Sequence, residues 1–323
     1  MKITRRAALA APLALAATRA LPAAAAEGGF PNQTVRIIVP YTPGGASDIA
    51  ARLLAEKLTP AWKQSVVVEN RTGANGIVGS DAVAKAQPDG HTLGFVSVNH
   101  AVNAALYTTP FDTLRDFTVI TLIYSVPLVV VTAPEFPAKT IEELAAMVKA
   151  RPGEITFAST GGAVHLAAEM FAHRVGAGMT NVPYRGSTAA HPDLIGRRVD
   201  VMFDTLPAVL GHVQGGKLKA LGTTAAQRLP MLPDLPTLAE SGLPEFEAST
   251  WGAIIGPAGM PGPVVNKIAA DAVAQLGEGS VRERFAALGA TPVGSTPEQA
   301  QAFVRAELEK WQQVVTAAKI EKQ

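Results

Sequence analysis

Short runs of β-branched residues alternate with segments of helical spacing along most of this chain, and this alternation limits the possible folds more than any other feature. Residues 34–39 and 92–98, for example, are strand candidates bounded by helical segments. Such alternation favours parallel strands covered by helices. Ten strand candidates exceed the usual size of a single sheet. We therefore predict an α/β fold with two lobes, each built on a mostly parallel sheet flanked by helices.

Two segments have the character of connections between the lobes. Residues 125–127 join one strand candidate directly to another, and residues 242–247 contain glycine and proline before the strand that carries Trp251. The final helix is expected to return and brace an earlier domain. The predicted division is a discontinuous first lobe of residues 27–127 and 247–323, and a second lobe of residues 128–246.

Three pairs of residues have the spacing of a capping box, in which a threonine and an acidic or amide side chain three positions later satisfy each other's backbone amides. Each pair predicts the start of a helix. The pairs are Thr140 with Glu143, Thr237 with Glu240, and Thr296 with Gln299.

The first 26 residues have the layout of an export signal. Lys2, Arg5 and Arg6 precede an apolar run at 7–17, which is much shorter than the roughly 20 residues of a membrane span, and small residues end at Ala26. The adjacent arginines fit twin-arginine export and Sec export equally well. We predict cleavage after Ala26 and a protein that works in the periplasm.

Charge and composition exclude several classes of function. Without residues 1–26, which hold four of the 28 basic residues and no acidic ones, 24 basic and 27 acidic residues remain, a formal charge of −3. A mildly acidic surface does not favour nucleic acid. The chain has no cysteine, and its six histidines lack metal-ligand spacing. We expect a monomer with no metal, no cofactor and no nucleic-acid partner.

Two similar loops carry the strongest functional signal. Each runs from a strand through a glycine pair into the start of a helix, once at residues 39–48 and again at residues 157–163. Glycines allow close approach of a ligand, and the first helical turn offers unpaired N–H groups and the positive end of the helix dipole. Two such loops on facing lobes would clamp a small anion, although each could also be only a tight turn.

Other polar residues near these loops have both a ligand-binding and a structural interpretation. Asp48 complements a helix dipole or receives the ammonium group of an amino-acid ligand. Asn99, together with His100 and Asn103, contacts a ligand or caps a helix. Arg185 supplies a cationic contact or lies exposed. His165 either donates a hydrogen bond to an anion or has a structural role. Ser159 is not supported as a nucleophile, because no G-x-S-x-G turn surrounds it.

With these residues assembled, the chain resembles the Bug-type periplasmic solute-binding receptors of tripartite tricarboxylate transporters. Seven segments carry the resemblance in order over essentially the whole chain after residue 26. They are V-P-Y-T-P-G-G-A-S-D (39–48), V-V-V-E-N-R-T-G-A-N-G (66–76), P-D-G-H-T-L (88–93), F-A-S-T-G-G-A-V-H-L (157–166), V-P-Y-R-G (182–186), L-P-D-L-P-T-L-A-E-S-G (232–242) and residues 251–261.

The resemblance implies a type II-like Venus-flytrap fold that holds a ligand carboxylate between its lobes and delivers it to membrane permease subunits. It implies no enzymatic activity. Asn75 is a departure, since relatives more often have glycine there. The implied first-lobe contacts are Gly44, Gly45, Ala46, Ser47 and Asp48, and the implied second-lobe contacts are Ser159, Thr160, Gly161, Gly162, Ala163, His165, Tyr184, Arg185 and Asp204. We add Asn75, at the cleft edge, and Asn99, at the end of a strand, as further predicted contacts.

Some questions stay open at the level of sequence. The family's ligands include di- and tricarboxylates, acidic amino acids and aromatic acids, and the two loops recognise only the carboxylate. The same cleft would also serve a receptor that reports to a signalling partner. An exported hydrolase is the least favoured alternative, because the chain has no recognisable pairing of nucleophile and base.

Overall fold

Strands and helices alternate as the sequence predicts. The structure is a computed structural model that describes residues 29–160, 162–318, 320 and 322. The export signal predicted at residues 1–26 and the ligand contact predicted at Gly161 lie outside the described residues. In the part of the chain that is described, no helix combines the length and apolarity needed to cross a membrane.

Ten strands are present in the described residues. They are β1 (Val35–Val39), β2 (Val66–Asn70), β3 (Thr92–Ser97), β4 (Phe117–Thr132), β5 (Thr156–Ser159), β6 (Thr180–Pro183), β7 (Val201–Thr205), β8 (Lys219–Thr223), β9 (Ser249–Pro257) and β10 (Thr291–Pro292).

Ten α-helices cover these strands, and a short 3-10 turn (Ala74–Gly76) precedes the second helix. The helices are α1 (Ala46–Trp62), α2 (Ile77–Ala84), α3 (Asn99–Leu106), α4 (Ile141–Ala150), α5 (Gly162–Val175), α6 (Ser187–Ile195), α7 (Leu206–Gln214), α8 (Gly262–Leu276), α9 (Gly279–Ala287) and α10 (Pro297–Ala317).

The strands form one path in the order β2-β1-β3-β9-β4-β7-β5-β6, with β8 and β10 pairing additionally with β4. Residues 117–127 of β4 pair with β9, and residues 128–132 pair with β7 and β8. The first half-sheet consists of β1, β2, β3, β9, β10 and residues 117–127 of β4. The second half-sheet consists of β5, β6, β7, β8 and residues 128–132 of β4. The pairing changes at the residue where the sequence placed a lobe boundary, but the division into lobes itself stays a prediction.

Each half-sheet is mixed rather than mostly parallel. The pairs β1–β2, β1–β3, β5–β6 and β5–β7 are parallel, whereas β4 and β9 run antiparallel to their neighbours. The strand candidates at 118–123 and 128–132 are one continuous strand, so residues 125–127 are not a loop. Because β9 is antiparallel to both β3 and β4, strand β4 runs in the same direction as β1, β2 and β3. It runs opposite to β5, β6 and β7 of the second half-sheet.

Helices α4 and α10 begin directly after Thr140 and Thr296, as predicted. Thr296 and Gln299 form the full capping box, whereas at Thr140 only the threonine hydroxyl caps the helix, because Glu143 accepts from Lys139 N. At Thr237 the reciprocal hydrogen bonds with Glu240 also form, at 2.8 and 3.0 Å. The chain nevertheless makes only turns there, because Gly242 takes a left-handed φ of 83° and Pro244 follows.

Helix α10 packs against α3 and α5 as well as β4, so it contacts elements associated with both half-sheets. Its anchor is Glu307, whose Oε2 accepts hydrogen bonds from the indole nitrogens of Trp251 (2.8 Å) and Trp311 (3.0 Å). Lys310 pairs with the other carboxylate oxygen. The final helix therefore braces the earlier part of the fold, as the sequence predicted.

Candidate functional site

A cavity of about 410 Å³ lies between the two half-sheets, at the beginnings of α1 and α5. The first half-sheet contributes the loop before α1 and one side of α3, and the second contributes Thr160, Gly162, Ala163 and Val164. A wider surface groove of about 1000 Å³ lies beside β8, but none of the predicted site residues lines it. The cavity at the helix ends is therefore the candidate ligand site.

The first wall is the loop that leads from β1 into α1. Gly44 takes a left-handed φ of 84°, and Gly45, Ala46 and Ser47 line the cavity. Helix α1 begins at Ala46, so the amides of its first turn have no partner within the helix. The sequence prediction of a glycine turn opening a helix is confirmed here, and it places amide donors and a positive dipole end beside the cavity.

A buried pair of hydroxyls lies behind this loop. Ser47 Oγ is 3.1 Å from Tyr124 Oη, and burial raises the pKa of Tyr124 to about 12. Tyr124 therefore keeps its proton at neutral pH. Its ring has room only because residue 252 is glycine, where a Cβ atom would lie 2.3 Å from Tyr124 Cε1. Sequence reasoning missed Tyr124, whose only signal was a tyrosine inside an apolar strand.

The second wall is the start of α5. Thr160, Gly162 and Ala163 line the cavity, and Gly162 takes a left-handed φ of 53°. Ser159 is buried and donates to Asn181 Oδ1 at 2.7 Å, so its hydroxyl supports the loop from behind. This wall thus presents backbone and the Thr160 side chain to a ligand.

The two walls approach each other at Asn99. A Cβ atom on Gly162 would lie only 2.8 Å from Asn99 Oδ1, which belongs to the first turn of α3. Both residues line the cavity. The half-sheets are therefore in close contact at this edge of the site, and glycine at 162 is what allows that contact.

The outer part of the cavity is held by a chain of amide contacts. Asn75, in a left-handed conformation with φ of 54°, donates from Nδ2 to Tyr107 Oη at 2.9 Å. Its carbonyl accepts from Asn103 Nδ2 at 2.9 Å. All three residues line the cavity, and the sequence analysis gave Tyr107 no role.

Asp48 and Gly44 lie behind the first loop and do not line the cavity. The Asp48 carboxylate is 3% exposed and accepts from Gly44 N, Asn70 Nδ2 and Arg52 Nε at 2.9 to 3.0 Å. Burial opposes ionisation, but the bonds from Arg52, Gly44 and Asn70 outweigh it and hold the pKa of Asp48 below its usual value. The structure favours a loop-supporting role over an ammonium contact.

Four other predicted contacts lie outside the lining of the cavity, and three of them have partners elsewhere. His165 Nε2 lies 3.3 Å from Glu169, Tyr184 Oη donates to Asp193 at 2.9 Å, and Asp204 pairs with His191 at 2.9 Å. Arg185 is exposed. None of the four lines the cavity. Their contact with a ligand stays a prediction of the sequence.

His100 is enclosed on the far side of α3 from the ligand site. Its ring lies 5.9 Å from that of Phe111 and 4.7 Å from that of Phe117, and within the described structure neither ring nitrogen has a hydrogen-bond partner. Burial lowers the pKa of His100 to about 4. The neutral ring is therefore the form that the fold accommodates.

This environment predicts a stability that falls in mild acid. The unfolded chain binds a proton at His100 below its usual pKa of about 6.5, whereas the folded chain resists protonation until about pH 4. Between pH 7 and pH 4 the free energy of unfolding should fall by about 3 kcal/mol from this residue. Denaturant titrations of His100→Leu should lack that part of the pH dependence, whereas exposed His173→Gln should keep it.

The electrostatics of the cavity suit an anion held by neutral donors. Among the described residues that line it, none is Asp, Glu, Lys, Arg or His. The favourable positive charge comes instead from the N-terminal ends of the α1 and α5 dipoles. Hydroxyl groups and the side-chain amide of Asn99 add neutral hydrogen-bond donors. Nowhere in the described chain do three or more potential metal ligands of the His, Cys, Asp or Glu type cluster together.

Comparison with known proteins adds independent information. The chain matches the family described as tripartite tricarboxylate transporter family receptor over residues 50–320. Protein BugT of Bordetella pertussis is 39% identical over 311 residues, which cover 94% of this chain and 95% of BugT.

Solved structures are similar over nearly the whole chain. The periplasmic binding protein BugD superposes with a TM-score of 0.72 at 36% identity, covering 91% of this chain and 100% of BugD. A protein from R. palustris solved with adipate has a TM-score of 0.76 at 32% identity, with coverages of 91% and 100%. These structures confirm the predicted binding-protein fold, and the family description confirms a receptor rather than an enzyme.

Proposed function

The chain belongs to the tripartite tricarboxylate transporter receptor family, and from this premise we propose that it captures a small carboxylic acid between its half-sheets and delivers it to the membrane permease of such a transporter. Capture takes place in the periplasm, after removal of the export signal. Closure of the two lobes around the acid creates the surface that the permease recognises and binds.

The observation that carries this proposal is a cavity in which two helix N-termini meet and no described charged side chain intrudes. The amides at the start of each helix donate to oxygen, and the two dipoles favour negative charge. Each dipole contributes only about 0.3 to 2 kcal/mol, so useful affinity requires both walls together. Ser47 and Thr160 add hydroxyl donors from opposite walls.

The carboxylate is the recognised group because it is planar and accepts several hydrogen bonds at once. The R. palustris protein similar to this chain was solved with adipate, a dicarboxylate. That likeness supports a carboxylic acid as the ligand class here. The site has no arrangement for chemistry on the ligand, so the acid leaves as it entered.

A thermal-shift panel tests this function. The purified protein is heated with mono-, di- and tricarboxylates, aromatic acids and amino acids, each beside the amide of the same acid as a matched control. Binding to the native state alone raises stability by about 2.7 kcal/mol at a hundredfold excess over Kd. For a chain of this size that is a rise in Tm of about 4 °C.

We expect at least one class of acid to raise Tm while its amide does not. Equal shifts by acid and amide would contradict recognition of a carboxylate. No shift with any acid, for a protein that unfolds cooperatively and carries no co-purified ligand, would contradict the receptor function itself.

A further inference from the structure

We propose that the preferred ligand has a single carboxylate on an uncharged, apolar body, and that Tyr107 forms the wall against which this body packs. The inference rests on the proposed function, because it concerns the same cavity. It follows from three features of the lining residues: their charge, the apolar row on α3, and the anchoring of Tyr107.

The charge of the lining excludes an ammonium group on the ligand. A buried cation needs a carboxylate partner, and the cavity has none among the described residues. Asp48 is the acidic side chain of the first loop, but its carboxylate is 3% exposed and already accepts from Gly44, Arg52 and Asn70. Amino acids therefore lose affinity relative to the same acids without the amino group.

The apolar part of the cavity runs along α3. Val98, Val102 and Leu106 are spaced four residues apart, so they form one row on the helix, and all three line the cavity. Ala163 and Val164 of α5 line it from the other half-sheet. A ligand whose carboxylate is held at the helix ends thus extends its body between apolar side chains of both walls.

The outer end of the cavity does not compensate a second negative charge. One amide N–H of Asn103 is used on the Asn75 carbonyl, and one of Asn75 is used on the Tyr107 hydroxyl. No Lys, Arg or His lines the cavity in the described part of the chain. A second carboxylate placed there would lose hydration without gaining a cation.

The Tyr107 side chain shapes the outer end of the cavity. The hydrogen bond from Asn75 fixes the ring at the cavity wall, and Asn75 can occupy its left-handed position because asparagine tolerates that conformation better than most residues. An aromatic ring offers a large apolar surface with little rotational freedom. Asn75 is thus a positioning residue and Tyr107 a specificity residue.

Matched ligand pairs test the charge argument by isothermal titration calorimetry. The pairs are benzoate with benzene-1,4-dicarboxylate, hexanoate with adipate, and 3-phenylpropanoate with phenylalanine. We expect each first member to bind at least about tenfold more tightly than its partner. Equal or tighter binding of the partners, or binding by none of the six, would overturn the inference and leave the proposed function standing, because the full thermal-shift panel tests that function separately.

Variants test the role of Tyr107. Tyr107→Ala should weaken binding of 3-phenylpropanoate about tenfold while changing that of propanoate, which has little apolar surface to pack on the ring, about twofold or less. Asn75→Gly keeps the left-handed backbone and should show part of the same selective loss. Tyr107→Phe keeps the ring and separates packing from the hydroxyl. Equal losses for long and short acids in Tyr107→Ala, or none, would overturn the role of the ring.

Discussion

Replacing Glu307 with leucine is expected to lower the free energy of unfolding by about 3 to 5 kcal/mol, which is among the largest effects of a single substitution in this fold. The carboxylate of Glu307 is 5% exposed and accepts from two indole N–H groups, those of Trp251 and Trp311. Leucine leaves both buried donors without a partner, and each unpaired donor costs about 1 to 3 kcal/mol.

A conservative variant and a control separate this cause from general damage to α10. Glu307→Gln retains a carbonyl oxygen for the indoles, so it should cost only about 1 kcal/mol. Glu309→Ala alters an exposed glutamate on the same helix and should change stability by about 0.5 kcal/mol or less. Urea titrations that place Glu307→Leu within that range would contradict the anchoring role.

The second large effect is expected at the contact between the walls of the ligand site. Gly162→Ala should weaken ligand binding about three- to tenfold, because its Cβ atom would lie 2.8 Å from Asn99 Oδ1 when the half-sheets are together and the Asn99 amide would have to rotate from its place in the cavity lining. Removing the obstacle should restore part of the loss, so Gly162→Ala should cost less affinity in an Asn99→Ala background. The double-mutant cycle isolates this coupling.

Gly153→Ala is the matched control for the strain at Gly162. Gly153 also has a left-handed φ, 79°, but a Cβ atom there meets nothing within 4 Å, and Gly153 does not line the cavity. Both alanine variants should lose about 1 kcal/mol of stability, whereas only Gly162→Ala should lose affinity. Parental affinity in Gly162→Ala, measured by calorimetry, would contradict close approach of the walls in the bound form.

The parts of this fold that sequence could predict are those fixed by short-range physics. Thr140 and Thr296 open helices because the hydroxyl of each accepts from the backbone amide three residues later, which is a purely local contact. The first glycine loop likewise follows from local geometry, since Gly44 needs a positive φ before α1 can begin. Charge and cysteine counts required no structure at all.

The parts that sequence could not predict depend on residues far apart in the chain. Nothing local shows that β4 continues through residues 125–127, because that continuity comes from successive pairing with β9, β7 and β8. Tyr124 reaches the site only because Gly252, on another strand, leaves space for its ring. Asp204 shows the opposite effect, since the sequence placed it at the site but a distant residue holds it elsewhere. It pairs with buried His191 and does not line the cavity.

The measurement that tests the central claim most directly is a crystal structure of the protein with the acid that raises Tm furthest. The account predicts the acid in the cavity between the half-sheets, with its carboxylate oxygens within hydrogen-bond distance of the first-turn amides of both α1 and α5. An acid bound in the groove beside β8, or held by one half-sheet alone, would contradict it.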